Sequence, residues 1–116
     1  MPAIAIIDDD DAVCESTRFL LETYGLDVCA YESANDFLAA APKVDCIIVD
    51  YQMPGLTGLE LVEALNRRGD AVPSIMITAT TDCALERRAA KLGIRRVLRK
   101  PLANQELLAA IRAALQ

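Results

Sequence analysis

The sequence predicts an α/β domain: a doubly wound five-stranded parallel sheet, order 2-1-3-4-5, flanked by five helices. Two observations carry that expectation. Short apolar runs alternate five times with stretches of helical periodicity within 116 residues, and glycine closes three of those helical stretches. Alternation on this scale calls for parallel strands joined by right-handed crossovers, because each helix has to return the chain to the same end of the sheet. No linker, repeat or low-complexity tract interrupts it, so residues 1–116 are expected to form one domain.

The elements follow in order. Ala3-Ile4-Ala5-Ile6-Ile7 reads as the first strand. Val13, Thr17, Leu20, Leu21 and Tyr24 then share a helical face that Gly25 closes from the C′ position, with Asp10 or Asp11 as its cap. Val28-Cys29-Ala30-Tyr31 is the second strand, followed by a helix that Ser33 caps and Pro42 ends. Cys46-Ile47-Ile48-Val49 is the third. The capping box Thr57-Gly58-Leu59-Glu60 opens the next helix, which carries Leu61, Val62 and Leu65 and stops at Gly69. Ser74-Ile75-Met76-Ile77 is the fourth strand, and Leu85, Ala89 and Leu92 mark a helix before Gly93. Val97-Leu98 is the fifth strand. Asn104 is the expected cap of the last helix, with Leu107, Leu108, Ile111 and Leu115 as its apolar stripe.

Composition removes several functions. The chain has no histidine, which excludes Ser-His-Asp and Cys-His catalysis, HExxH metal sites and a histidine phosphodonor within it. Its net charge of -5 argues against nucleic-acid contact by this domain. Cys14, Cys29, Cys46 and Cys83 form no CxxC pair and are expected to be small buried apolar residues. The N-terminus lacks a basic region and a long apolar run, so neither a signal peptide nor a membrane span is expected there; a cytoplasmic chain with reduced thiols is. Residues 1–58 carry 2 basic and 11 acidic side chains, and residues 59–116 carry 10 and 6, which predicts one acidic and one basic pole.

In an open α/β sheet, ligands bind beyond the carboxyl ends of the strands, where strand order reverses. Asp8, Asp9, Asp10 and Asp11 follow the first strand, Asp50 the third, Thr78 and Ala79 the fourth, and Lys100-Pro101 the fifth. With strands 1 and 3 adjacent, Asp8, Asp9 and Asp50 converge, and three carboxylates resist ionisation together unless a cation neutralises them. An all-oxygen site of this kind favours Mg²⁺, with Mn²⁺ as a substitute. Carboxylate nucleophile, Mg²⁺, Lys100 and the Thr78 hydroxyl are the parts that phosphoryl transfer requires. Asp50 is the candidate nucleophile, since Met53-Pro54-Gly55 suits a type II turn that leaves it exposed.

Four segments, Ile6-Ile7-Asp8-Asp9-Asp10, Val49 to Gly55 with Gly58, Ile77-Thr78-Ala79 and Arg99-Lys100-Pro101, lie in order and at these spacings. In them the chain resembles, from end to end, the flavodoxin-like receiver domain of bacterial two-component response regulators. Tyr31-Glu32-Ser33-Ala34 and Val72-Pro73-Ser74-Ile75 are most similar to receivers of the nitrogen-fixation type, which precede LuxR-class DNA-binding domains. The resemblance implies phosphorylation of Asp50 by a sensor histidine kinase or phosphotransfer protein. It implies Mg²⁺ held by Asp9, Asp50 and the main-chain carbonyl of Gln52, with Asp8 acting largely through water, and phosphate contacts from Thr78, Ala79 and Lys100. Gln52 and Thr80 would tune hydrolysis. A DNA-binding output domain would follow this chain unless the receiver stands alone, and the helix 4, strand 5 and helix 5 face, with Arg87, Arg88, Arg95, Arg96 and Arg99 on helix 4 and strand 5, would be where a homodimer forms or a partner docks.

One residue departs from the pattern. Receivers commonly carry Phe or Tyr three residues before the lysine; Val97 stands there, stiff at χ1 and without a polar edge. That departure leaves room for a binding-only pseudo-receiver. An enzymatic alternative, a haloacid-dehalogenase-type phosphatase with Asp8 as nucleophile, also fits Ile6-Ile7-Asp8-Asp9-Asp10, although such enzymes need a longer chain and a cap. The reading adopted is a signalling domain that makes and loses its own acyl phosphate, without an external substrate.

Overall fold

The computed structural model describes residues 2–53, 55–70, 72–79 and 83–115. Five strands, β1 (Ala3–Ile7), β2 (Asp27–Tyr31), β3 (Cys46–Asp50), β4 (Ser74–Thr78) and β5 (Ile94–Arg99), alternate with helices α1 (Asp11–Thr23), α2 (Ala34–Ala40), α3 (Gly58–Arg67), α4 (Cys83–Lys91) and α5 (Asn104–Leu115). The strands form one parallel sheet in the order β2-β1-β3-β4-β5, as the sequence predicts.

The sheet separates two cores. Strand alternation sends Ile4, Ile6, Ile48, Ile75 and Ile77 to one face, where Leu21 of α1 and Leu107 and Ile111 of α5 cover them. Ala5, Ile7, Ile47, Val49 and Met76 point the other way, toward Phe37 of α2, Leu61 and Leu65 of α3, and Leu85 and Ala89 of α4. Ile4, Ile47, Leu61, Ile75 and Met76 are wholly out of water, and each contributes about 1.5–3 kcal/mol by burial.

Helix ends follow the capping chemistry read from the sequence. Asp10 caps α1, its carboxylate accepting from the N–H groups of Ala12 and Val13. At the other end Gly25, at φ +82°, lets Leu26 N–H reach back to the Leu21 carbonyl and its own N–H to Glu22. Ser33 caps α2. Thr57 and Glu60 form the reciprocal box at α3: Glu60 N–H donates to Thr57 Oγ1 at 3.2 Å, and Thr57 N–H donates to Glu60 Oε1 at 2.9 Å. Replacing Thr57 by Ala removes one of these acceptors, and urea denaturation is expected to show a loss of about 1 kcal/mol.

Five expectations are corrected. Asn104 is the first residue of α5 rather than its cap; the first turn instead closes on the Ala103 carbonyl, which accepts from Leu107 N–H. Ala41, in the left-handed region at φ 44°, terminates α2 ahead of Pro42. β5 runs from Ile94, three residues earlier than the apolar pair Val97-Leu98, because an edge strand exposes Arg95 and Arg96 and so hides its periodicity. Tyr24 is 56% exposed rather than part of the buried α1 face: it is the C-cap, where the backbone has left helical geometry and the 3.6-residue period no longer sets its direction. Cys14 and Cys46 are buried as expected, but Cys29 is half-buried and Cys83 is exposed at the start of α4.

Candidate functional site

Parallel strands end at one edge of the sheet, and the sequence places acids at the ends of the two central ones. β1 pairs with β3 through Ile4 with Cys46 and Ile7 with Val49, so Asp8 and Asp50 follow in register on adjacent strands. Asp8 N–H donates to the Tyr31 carbonyl of β2 at 3.1 Å, which keeps the first residue of the acidic run tied to the sheet. Asp9 leaves it and is exposed. One oxygen each from Asp8, Asp9 and Asp50 can lie within 4.8 Å of the others.

The carboxylates are buried unequally. Asp8 is 2% and Asp50 5% exposed, so the Asp50 carboxylate is not left open by the loop after it as expected: it ends a central strand and is covered there. Asp8 Oδ1 accepts from Asp10 N–H at 3.0 Å, and Asp50 Oδ1 accepts from Gln52 N–H at 3.3 Å. The Asp8 carbonyl accepts from the buried Cys14 thiol at 3.3 Å. Burial pushes the Asp8 carboxyl up to about 6; the neighbouring charges of Asp50 and Asp9 add to it, and the Asp10 amide and Lys100 offset part of the rise. Burial also pushes the Cys14 thiol up to about 11, which leaves it an inert packing group.

Lys100 answers these acids from β5. Its backbone N–H donates to the Thr78 carbonyl at 2.9 Å, which extends the β4–β5 ladder beyond Arg99 and fixes where the side chain starts. Nζ then donates to Asp50 Oδ2 at 3.1 Å and stands 3.9 Å from Asp8 Oδ2. Burial by itself would lower the Lys100 pKa. The hydrogen bond and charge of Asp50, with Asp8 behind it, outweigh that and leave it raised.

The residues singled out in the sequence fall as follows. Asp8, Asp9, Asp50 and Lys100 meet at one point. Thr78 ends β4 fully buried, with Ala79 exposed beyond it. Gln52 is exposed, two residues past Asp50. Val97 lies beside Met76 and packs, half-buried, on the α4 side of the sheet. Thr80 and Pro54 lie outside the described residues; of the turn expected around Pro54, Gly55 has φ +84°. The Cys14 thiol under Asp8 was not foreseen, since a cysteine at a helical core spacing reads as packing. A groove of about 550 Å³ beside Cys83, Glu86, Arg87 and Ala90 is open and shallow and holds none of these groups.

The donor set fits a hard divalent cation. It consists of three carboxylates without nitrogen or sulfur ligands, one of them, Asp8, raised to about 6 by burial and by its acidic neighbours. The described residues thus provide a cation's acids together with an ammonium group on Asp50.

Residues 4–112 match the response regulator receiver domain. The chain belongs to that family. Over 97% of its length it is 46% identical to the transcriptional regulatory protein FixJ of Azorhizobium caulinodans and 39% identical to the transcriptional regulatory protein TdiR of Thauera aromatica. The response regulator protein TodT of Pseudomonas putida is 37% identical over a similar span. It covers 54%, 50% and 51% of these relatives, so it spans about half their length. Among solved structures, the response regulator StyR superposes with a TM-score of 0.92 at 38% identity, over 99% of this chain and 59% of that one. The chemotaxis protein CheY4 of Vibrio cholerae superposes at 0.93 with 26% identity over 99% of both chains. This receiver is therefore a signalling domain of the two-component type, and the nitrogen-fixation affinity read from its sequence is reflected in its FixJ relatives. No helix among the described residues is long and apolar enough to cross a membrane.

Proposed function

We propose that this receiver takes a phosphoryl group onto Asp50 from a phosphohistidine on a sensor histidine kinase or phosphotransfer protein. The observation that carries this reading is the contact of Lys100 Nζ with Asp50 Oδ2 at 3.1 Å, opposite the cluster of Asp8, Asp9 and Asp50. An Asp50 oxygen attacks phosphorus, the P–N bond breaks, and its electron pair leaves with the imidazole. Lys100 is already at the acceptor and can follow the charge onto the phosphoryl oxygens. Thr78 and the Ala79 amide supply hydrogen bonds that exist only after transfer, which is how a modification biases a conformational equilibrium. Asp8, Asp9, Asp50 and the Gln52 carbonyl would hold Mg²⁺ or Mn²⁺, which when bound neutralises phosphoryl oxygen charge.

Gln52, and Thr80 beyond the described residues, would adjust how long the acyl phosphate lasts. No external metabolite is turned over in this reading, and a cytoplasmic setting, where kinases carry their phosphohistidines, follows from it. The relatives' names and their additional length support a DNA-binding output in the full-length protein. The exposed Arg87, Arg88, Arg95, Arg96 and Arg99 on α4 and β5 offer the face that would meet that output or a second copy.

Incubation with acetyl phosphate and Mg²⁺, followed by intact-mass measurement, tests the proposal. The wild type is expected to gain one phosphoryl mass, and Asp50→Asn and a chelator-treated sample none. A wild type that gains no mass with several small donors would instead be a binding-only module. Turnover of a phosphomonoester that survives Asp50→Asn and is lost in Asp8→Asn would mark a phosphatase.

A further inference from the structure

We infer that Tyr51 is the positioning residue through which the state of Asp50 and Thr78 reaches helix α4; the inference rests on the phosphoacceptor reading above. Strand register places the pair. Asp50 lies beside Ile77, and one step further the Tyr51 N–H donates to the Ile77 carbonyl at 2.8 Å, so Tyr51 comes beside Thr78. Side chains alternate along a strand. Val49 and Met76 face the α3 and α4 side, and Tyr51 and Thr78, two residues beyond each, face the same way. They are cross-strand neighbours immediately past the acceptor.

The Tyr51 backbone is held at both ends. Besides its N–H bond to β4, its carbonyl accepts from Gly58 N–H at the start of α3, at 3.0 Å. Any response of this residue therefore lies in its ring. The ring has somewhere to go: Tyr51 is half-buried and lines a groove of about 490 Å³ with Leu59 and Glu63 of α3 and Arg88, Lys91 and Leu92 at α4.

Helix α4 packs on this same face of the sheet. Leu85 and Ala89 are its buried residues. Among the described residues, no ion pair joins Arg88 or Lys91 to Glu60 or Glu63 across the groove. On β5, Val97 shares this face but is short and stiff at χ1. A turn of the Thr78 hydroxyl toward a phosphoryl group on Asp50 vacates space beside the Tyr51 ring. Rotation of the ring into that space narrows the groove and draws α4 toward α3.

Hydrogen exchange over residues 83–92, read by mass spectrometry with and without acetyl phosphate and Mg²⁺, tests this in the wild type, Tyr51→Phe and Tyr51→Leu. Intact mass on the same samples reports phosphorylation separately. The wild type and Tyr51→Phe are expected to gain the phosphoryl mass and to slow exchange in this segment by about fivefold or more, the lower end of ordinary coupling between two sites. Tyr51→Leu is expected to gain the mass with less than about a twofold change. A Tyr51→Leu protein that gains mass and slows as the wild type does overturns the inference, as does a phosphorylated wild type with unchanged exchange. Absence of mass gain in the wild type removes the phosphoacceptor reading itself, and this inference with it. Should circular dichroism show Tyr51→Leu unfolded, Tyr51→Met takes its place under the same criteria.

Discussion

Asp8→Asn is expected to make the metal-free protein more stable at neutral pH, by about 2 kcal/mol. The carboxyl is almost wholly buried, beside Asp50 and Asp9. Its displacement from 3.8 to about 6, in which the Lys100 attraction is already counted, corresponds to about 3 kcal/mol, since each pH unit is worth about 1.4 kcal/mol; burying the polar amide in its place returns part of that. The amide keeps an oxygen for the Asp10 N–H. The sign of the pH dependence follows. Between about pH 4 and 6 the folded wild type binds a proton that the unfolded chain has released, so wild-type stability rises as pH falls through about 6 and levels off below about 4. Asp8→Asn lacks this slope, and the two proteins should converge in acid. Denaturant titrations in chelator at several pH values measure the gap. Adding Mg²⁺ should stabilise the wild type according to its occupancy and the variant much less. A variant less stable than the wild type at pH 7 would show that Asp8 is not under electrostatic strain.

Gly58→Ala is expected to cost about 2–3 kcal/mol and to slow phosphoryl uptake, although alanine is the better helix former by about 1 kcal/mol. A Cβ at this first residue of α3 would stand 2.8 Å from the Asp50 carbonyl oxygen and 3.2 Å from Tyr51 Cα. Both are backbone atoms of the segment that presents the acceptor, so the clash is relieved by moving the loop rather than a side chain, and overpacking of this kind costs about 1–3 kcal/mol before the loop's own hydrogen bonds are disturbed. Gly55→Ala separates the two effects. There φ is +84° and the nearest atom, Asn35 Nδ2, is 3.8 Å away, so the loss should be about 1 kcal/mol of backbone strain alone. Urea denaturation gives the stabilities, and the time course of mass gain with acetyl phosphate gives the uptake. Equal stability of Gly58→Ala and wild type would mean that helix α3 can withdraw from the loop without consequence.

Much of this is legible in the sequence. The three inner strands announce themselves as apolar runs because both faces of each are covered, and the edge strand β2 keeps such a run, Val28 to Tyr31, although Ala30 is exposed; the other edge, β5, spends Arg95, Arg96 and Arg99 on solvent and betrays itself through two residues. Thr57 and Glu60 marked the start of α3 because the capping box is a local device, complete within four residues. Asn104 misled for the same reason: a good cap residue only caps when the preceding backbone is extended there, and the turn after Pro101 begins the helix one residue sooner than a cap at 104 would require.

The amino-acid order by itself determined the alternation of elements, the placement of acids, hydroxyl and lysine after particular strands, and the family. These depend on periodicity and on residue type at strand ends, both of which are local. Tertiary structure alone decided that Asp8 is buried while Asp9 faces water, that Lys100 rests on Asp50 rather than Asp8, and that Tyr51 stands beside Thr78 in the α3–α4 groove. The physical reason is that burial, charge partnership and cross-strand neighbours are set by which strands lie side by side and by the register between them, and residues 27 to 92 positions apart in the chain meet only once that sheet has formed.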